Sequence, residues 1–498
     1  MKLKRATTAF LAACMAFSTF AAACGGDDSR DKDGAYILDY YFIHNGMETQ
    51  TSVIDEVEDA INAIIKPKIN AVVELHPVHA WNYDEKMNNI INAGDKFDIC
   101  YTSSWTNNYT QKVMKEAYVD ITEMLPEYAP TLYANVDPAL YEAVKIDGKI
   151  YGAINLQVLP RTPGMCVDKK EWDAFRKENP NFSEESVKSF GDIEPFLAFL
   201  KKKYPQSPYI MAAPDPAGLV IEGGFDELVG MTYPGAIQVA DDPADGLTVI
   251  NQFATDFYKE TFKTCVEFYK KGYFNQDQAF SYTEGYCWNL STWKPGVDAE
   301  QTLVAGREMY CFPIGEAVMY NSWSKSNLNA ISTTSEEPET ALKFLELLNT
   351  DKELYNIITF GIEGKHYNKV GENRIEVPVN TEYTMGNVGW QFSNQFNAYL
   401  QPEQEDDVWE ETKTLNASAT YSPLMGFSFD SSKVELELSN CYMAYLEYIN
   451  SFIYGIFTKD GEFDKQYNNF MKKLKACDMQ RVLEEMQKQI DAWLAANK

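Results

Sequence analysis

The sequence predicts an α/β protein built from two domains, and three observations carry this. Strand-like and helix-like runs alternate as β-α-β-α-β over residues 36–101, the pattern of an open, largely parallel sheet covered by helices. The chain has 498 residues, whereas a single core stops growing at about 250–300. Its character changes after Val158, where Leu159-Pro160-Arg161-Thr162-Pro163-Gly164 forms a stiff connection into a new set of helices.

At the N-terminus, Lys2, Lys4 and Arg5 precede an apolar run from Ala6 to Ala23 that ends in small residues. This is the plan of a secretory signal over residues 1–23. Cys24 after Ala21-Ala22-Ala23 resembles a bacterial lipobox, although lipoboxes prefer Leu where Ala21 stands. That resemblance implies that Cys24 carries lipid and becomes the first mature residue; the alternative is an uncleaved anchor helix. Residues 25–34 (GGDDSRDKDG) lack apolar side chains, so residues 24–34 are expected to be a lipidated Cys and flexible tether, with folding beginning near Ala35. No later tract is long and apolar enough to span a bilayer.

The net charge of −29 argues against nucleic acid and against electrostatic attraction to an anionic membrane. Of the nine cysteines, Cys14 belongs to the signal and Cys24 to the lipobox-like site. The remaining seven, at 100, 166, 265, 287, 311, 441 and 477, are widely spaced and contain no CxxC pair. Most read as small buried residues; a disulfide stays open, although an odd count in an exported chain suggests a reducing or anaerobic habitat.

Tyr36–Ile43 reads as the first strand. Thr51-Ser52-Val53-Ile54-Asp55 opens a helix with a Ser-x-x-Asp cap, and Val53, Val57, Ile61, Ile64 and Ile65 recur at helical spacing until Pro67. Ile69–Leu75 is a second strand, Asn82–Ala93 a helix closed by Gly94, and Lys96–Tyr101 a third strand. Ligands of such sheets bind beyond the carboxyl ends of the strands, so the loop Thr102–Tyr109, with its hydroxyls, amides and Trp105, is a candidate binding lip or an ordinary helix-capping loop.

Asp147–Val158 (DGKIYGAINLQV) starts with an Asp-Gly turn and continues as a strand with Asn155 and Gln157 on one face. That face reads either as a solvated edge or as the wall of a polar crevice. Helices are expected at Lys169–Glu178, Ser189–Lys203 and Thr255–Lys271, strands near Arg307–Ile314 and Glu316–Asn321, and a helix at Glu337–Asn349. Two amphipathic helices, Val434–Phe457 and Phe463–Ala495, close the chain.

Catalytic signatures are sparse. The chain has four histidines and lacks a G-x-S-x-G elbow, an H-E-x-x-H pair and a phosphate-binding loop. His76 and His79 lack a third nearby His or Cys ligand. No cofactor or metal is expected. Trp or Tyr beside Asn, Gln, Ser or Thr recurs instead, around Trp105, Trp288/Trp293 and Trp390. Rings cover the C–H faces of sugars while amides and hydroxyls meet their hydroxyl rims, so a saccharide cleft is the expectation. A secreted glycan hydrolase and a surface adhesin stay open as readings.

The AAAC site with its acidic tether, DGKIYGAIN, TWKPGVDAE, PETALKFLELLNTDKELYNIITFGIEGKHY and WQFSNQF together resemble the bacterial extracellular solute-binding lipoproteins of carbohydrate ABC importers, in the branch with the C-terminal domain of unknown function 3502. The resemblance implies a type II periplasmic-binding-protein fold of two α/β lobes joined by crossing hinge strands, with extra C-terminal helices. Lobe 1 would comprise 35–155 plus 285–330, and lobe 2 156–284 plus 331–498. It implies ligand contacts at Ser103, Ser104, Trp105, Asn107, Asn155, Trp288, Trp293, Trp390, Gln391 and Asn394, with Gln157 beside them. Glu363, Lys365 and His366 of FGIEGKHY are expected to hold structure. The implied partners are a sugar or oligosaccharide and permease subunits; the protein would be a lipid-anchored monomer on the outer face of the cell membrane. A non-sugar solute is the open alternative.

Overall fold

The structure is a computed structural model that describes residues 29–46, 49–208, 210–274, 284–385 and 388–496. The expected signal peptide, Cys24, and Tyr282 of the aromatic cluster lie outside the described residues.

The first lobe forms around a five-stranded sheet. β1 (Tyr36–His44), β2 (Ala71–His79) and β3 (Ile99–Thr102) are mutually parallel in the order β2-β1-β3. Leu328–Ile331 then pairs antiparallel with β3 and with the edge strand β4 (Gly152–Ile154). Helix α1 (Thr51–Ile69) buries Val53, Val57, Ile61 and Ile65, the stripe expected from its period. Its start and end differ from expectation. Gln50 is the N-cap without a side-chain bond, because Ser52 already lies within the first turn. Pro67 sits inside the last turn, and Asn70 in the left-handed region closes the helix. Helix α2 (Ala80–Ala93) ends on Gly94 at φ 70° as expected.

The second lobe holds an antiparallel three-stranded sheet in which β5 (Gly164–Asp168) lies between Met309–Pro313 and Cys287–Leu290. A second small sheet joins Phe225–Glu227, Gly235–Gln238 and Ile250–Asn251. Helices Lys169–Glu178, Glu194–Lys203 and Asp256–Lys270 pack around them with Glu435–Ile453 and Glu462–Ala476. The expected single last helix is two, Glu462–Ala476 and Met479–Ala496, separated at Asp478, whose φ is 57°.

The lobe boundaries therefore differ from expectation. Within 285–330, the strands Cys287–Leu290 and Met309–Pro313 belong to lobe 2, because both hydrogen-bond to β5; Leu328–Ile331 alone returns to the first sheet. Residues 331–400 stay with lobe 1, since helix Pro338–Thr350 turns Ala341, Phe344, Leu345 and Leu348 onto that sheet's core. Lobe 1 thus comprises about 29–155 and 328–400, and lobe 2 about 164–314 and 424–496. The tether also ends sooner than expected. Ser29 accepts from the Ile37 amide at 2.8 Å, Lys66 bonds Asp31 and Asp33, and Arg30 pairs with Glu337, so these charges anchor the entry to β1.

Three segments cross between the lobes, and they are hydrogen-bonded to one another. Arg161 exchanges both backbone bonds with Val318 at 2.8 and 3.0 Å. Val318–Met319 pairs in parallel with Thr420–Tyr421. This narrow seam is the only β-structure shared by all three crossings among the described residues.

Candidate functional site

The carboxyl end of β3 and the loop around Trp390 meet at the mouth of the crossing seam. Tyr101 at the end of β3 stands 5.9 Å from Trp105 and 5.3 Å from Trp390, centroid to centroid. Trp105 and Trp390 are themselves 6.3 Å apart. Trp105 keeps 52% of its surface exposed, a large value for an indole. Its Nε1–H donates to the Ser326 carbonyl at 3.1 Å, and Tyr101 donates to the same oxygen at 2.7 Å.

Two left-handed residues shape the loops that carry these rings. Asn107 at φ 42° turns the 103–108 loop back, and its Nδ2 donates to the Tyr101 carbonyl at 2.8 Å. Ser393 at φ 58° follows Trp390, and its carbonyl accepts from Leu156 N at 2.7 Å. Strained backbone of this kind persists where the surroundings over-determine it, and it clusters at functional sites.

Below the rings runs a buried amide network. Asn155 donates through Nδ2 to Asn327 Oδ1 at 2.9 Å; its Oδ1 accepts from Asn329 Nδ2 at 2.8 Å and from Ser393 N at 3.1 Å. Asn329 also bonds Tyr40, and Asn327 donates to the Trp390 carbonyl at 2.7 Å. The network ties β4, the returning strand and the Trp390 loop into one unit, so Trp390 is held from beneath.

Toward the second lobe, Arg161 bridges the crossings. Its Nη1 donates to Thr292 Oγ1 at 2.7 Å and its Nη2 to Ser326 Oγ at 3.3 Å, while the guanidinium lies 4.2 Å over the Trp323 ring. Burial lowers its pKa to about 10, so the group stays charged at neutral pH. Arg161 Nε and Trp323 Nε1 are buried donors without a protein acceptor. Beside them lies a small recess lined by Gln157, Trp323, Ser324, Ser326 and Asn327 together with the apolar Leu140, Ile154, Leu159 and Met319. Rings, amides, hydroxyls and one guanidinium meet here, a set suited to holding a polar, uncharged or weakly anionic ligand.

The expected contact residues divide into two groups. Trp105, Trp390 and Ser104 stand together at the mouth, with Ser104 exposed at the loop tip. The others hold structure. Ser103 is buried, its hydroxyl accepting from the amides of Trp105 and Thr106. Asn155 is spent on the bonds above, and Asn107 is buried with its Nδ2 on the Tyr101 carbonyl and its Oδ1 without a protein donor. Gln391 clamps Ile43, donating to its carbonyl at 2.7 Å and accepting from its amide at 3.0 Å. Asn394 donates to the Asn349 carbonyl and caps Phe396. Asn155 is thus a hinge-adjacent brace instead of the expected ligand-facing group.

Trp288 is 3% exposed and sealed beside Cys166, Val297 and Cys311, its indole N–H donating to Gln301. The expectation that it faces ligand is corrected by strand pairing: opposite Cys166 it points into the core of lobe 2. Trp293 is half-buried against Gly164, where a Cβ would come within 2.8 Å of its own Cβ, and donates to the Cys311 carbonyl. In FGIEGKHY, His366 Nδ1 accepts from the Ile362 amide, and Glu363 and Lys365 pair with Lys369 and Glu56. His76 bonds Asp39 while His79 accepts from the Trp81 amide at the start of α2.

Sequence reading missed Tyr101, Arg161, Trp323 and Ser326. Trp323 had the signal in plain view, as Asn321-Ser322-Trp323-Ser324-Lys325-Ser326-Asn327 repeats the pairing of an aromatic with amides and hydroxyls seen elsewhere. Arg161 carried no such signal, being one cation in a Pro-rich link.

Comparison with known proteins agrees with this geometry. Residues 423–495 match the family described as a domain of unknown function (DUF3502). The chain is 28% identical over 461 residues to a carbohydrate ABC transporter substrate-binding protein of Streptococcus pneumoniae, covering 89% of each. It superposes on the crystal structure of the N-glycan transport solute-binding protein (NgtS) of Streptococcus pneumoniae with a TM-score of 0.79 at 26% identity, covering 93% of this chain and 100% of that one. A second structure of that protein, in complex with Man5GlcNAc, gives a TM-score of 0.71 at 26% identity over 93% of this chain and 99% of that one. In its two α/β lobes, three crossings and C-terminal DUF3502 match, the chain is similar over nearly its whole length to substrate-binding proteins of carbohydrate ABC transporters.

Proposed function

We propose that the protein captures an oligosaccharide between its lobes and hands it to a membrane permease without altering it. The observation that carries this is the grouping of Trp105, Trp390 and Tyr101 above Ser326 and beside Arg161, at the mouth of the crossing seam. The exposed Trp105 and half-buried Trp390 rings stack on sugar C–H faces, with the buried Tyr101 ring packed behind them. A ligand hydroxyl accepts from the unused donors Arg161 Nε and Trp323 Nε1, each of which otherwise costs about 1–3 kcal/mol when buried unpaired. Rotation about the seam closes the lobes, driven by the ligand's greater affinity for the closed form.

The relatives' named ligands point to a fragment of an N-glycan, of the Man1GlcNAc to Man5GlcNAc kind, as the first candidate. Lipid on Cys24 would keep the protein at the outer face of the membrane, near its permease. The test is calorimetry and tryptophan fluorescence against N-glycan fragments, plant oligosaccharides, peptides and polyamines. We expect micromolar or tighter binding of a glycan, about −8 kcal/mol, with the sugar recovered intact. Binding of a peptide or polyamine and of no glycan would overturn the reading; hydrolysed product would make the protein an enzyme.

A further inference from the structure

We propose that Cys166 and Cys311 form a cross-strand disulfide that staples the roots of two of the three crossings within lobe 2. Cys166 on β5 lies directly opposite Cys311 on Met309–Pro313, and their Sγ atoms are 2.8 Å apart. Both are thiols in this structure. Opposed residues of an antiparallel pair have Cα atoms about 4.5–5.5 Å apart, inside the range of about 4.4–6.8 Å that a disulfide spans. No strand movement is therefore needed to join them.

The sheet also selects this pair over the nearest other thiol. Cys287 sits across from Val167 and packs with it into the larger core of lobe 2, whereas Cys166 and Cys311 share the smaller core on the opposite face with Trp288 and Met309. Cys100 is in the other lobe, and the Cys477 thiol is turned to the Asn440 carbonyl.

The chemistry is thiol–disulfide exchange with a low-molecular-weight or protein disulfide as oxidant. One cysteine, as thiolate, attacks the oxidant's disulfide; a mixed disulfide forms and one thiol of the oxidant leaves. The second cysteine then attacks the protein sulfur of that bond, forms Cys166–Cys311 and releases the other oxidant thiol. Two protein thiols are oxidised, one external disulfide is reduced to two thiols, and the protons pass to those leaving groups. The proposal rests on the extracytoplasmic reading above, because such oxidants are available outside the cytoplasm.

Timing follows from burial. Cys166 and Cys311 are 0% and 4% exposed, and the Cys166 sulfur with burial holds the Cys311 thiol protonated. A buried neutral thiol exchanges slowly, so the bond forms while β5 and Met309–Pro313 are still coming together and is shielded from reductants afterwards. β5 begins where the first crossing ends, and Met309–Pro313 ends where the second begins. Their linkage confines lobe rotation to the seam at Arg161, Val318 and Thr420.

The test is to refold the purified chain in a glutathione redox buffer and, separately, in excess reductant, then titrate thiols under denaturing conditions. Oxidative refolding should leave two fewer thiols, with the peptides containing 166 and 311 joined in mass spectra, and thermal unfolding should shift upward relative to the reduced form. The C166A/C311A variant should show no redox-dependent shift. If the variant fails to fold, the wild-type peptide map decides alone. Equal thiol counts after both treatments, or a crosslink between other cysteines, would overturn the proposal. Glycan calorimetry on the oxidised protein is a separate readout: failure there with the bond intact counts against the transport function and not against the disulfide.

Discussion

Trp105 and Trp390 face each other at 6.3 Å between ring centroids, one carried by the loop after β3 and the other by a loop that follows the last helices of lobe 1. The contact exists because the returning strand Leu328–Ile331 and its asparagines draw the late loop onto the sheet's carboxyl end. Trp105 is the more exposed partner and is held by a single side-chain bond.

Trp105→Ala should therefore weaken glycan binding about tenfold or more, equivalent to about 1.4 kcal/mol, with a small change in thermal stability. Trp288→Ala should do the reverse, costing about 3–5 kcal/mol of stability as a core truncation. Calorimetry paired with thermal melts separates the two, and loss of affinity without loss of stability in the Trp288 variant would return that indole to the binding surface.

Asn155→Ala should destabilise by about 2–3 kcal/mol, since it strips partners from Asn327, Asn329 and the Ser393 amide in a buried site. Denaturant unfolding measures this. An unchanged midpoint together with weaker glycan binding would mean that Asn155 meets ligand after all.

The protein should be more stable near pH 5 than near pH 8, in part through Glu227. Burial raises its carboxyl to about 7, although it accepts a hydrogen bond from Ser322 at 2.6 Å. Unfolded glutamate titrates near 4.5, so between that value and about 7 the folded state binds the extra proton. Its stabilising contribution is complete below pH 4.5 and is lost as pH rises through 7, on the order of 2–3 kcal/mol. Glu227→Gln should flatten that part of the profile; a melting curve whose slope is unchanged in the variant would refute the assignment.

Gly455→Ala should destabilise the whole protein by more than about 1 kcal/mol. Gly455 has φ 62°, and an added Cβ would lie 2.1 Å from the Cys265 carbonyl oxygen. Cys441, Tyr445, Phe452 and Phe470 share one core with Phe253 and Phe262, so the C-terminal helices complete lobe 2. Calorimetry should show lobe 2 and its C-terminal helices shifting together. A separate low-temperature transition confined to the C-terminal helices would instead make the DUF3502 region an independent domain.

Much of lobe 1 was legible because its elements are locally encoded. The period-matched stripe of Val53, Val57, Ile61 and Ile65, the Gly94 stop and the Asp147-Gly148 turn each express their conformation within a few residues. The end of α1 lies beyond the stop expected at Pro67, the helix running on to its left-handed cap at Asn70.

What the sequence determined by itself was the alternation of strand and helix, the kind of ligand its aromatic and amide residues suit, and the family resemblance. What tertiary structure decided was partnership. A strand such as Cys287–Leu290 carries no local mark of which sheet its edge will join, so the lobe to which 285–330 and 331–400 belong followed from long-range pairing and from the face that Phe344 and Leu345 bury. The same holds at the site: Trp105 and Trp288 are both indoles beside polar residues in the chain. One is left in solvent by a loop at a strand end, and the other is turned inward by its register opposite Cys166.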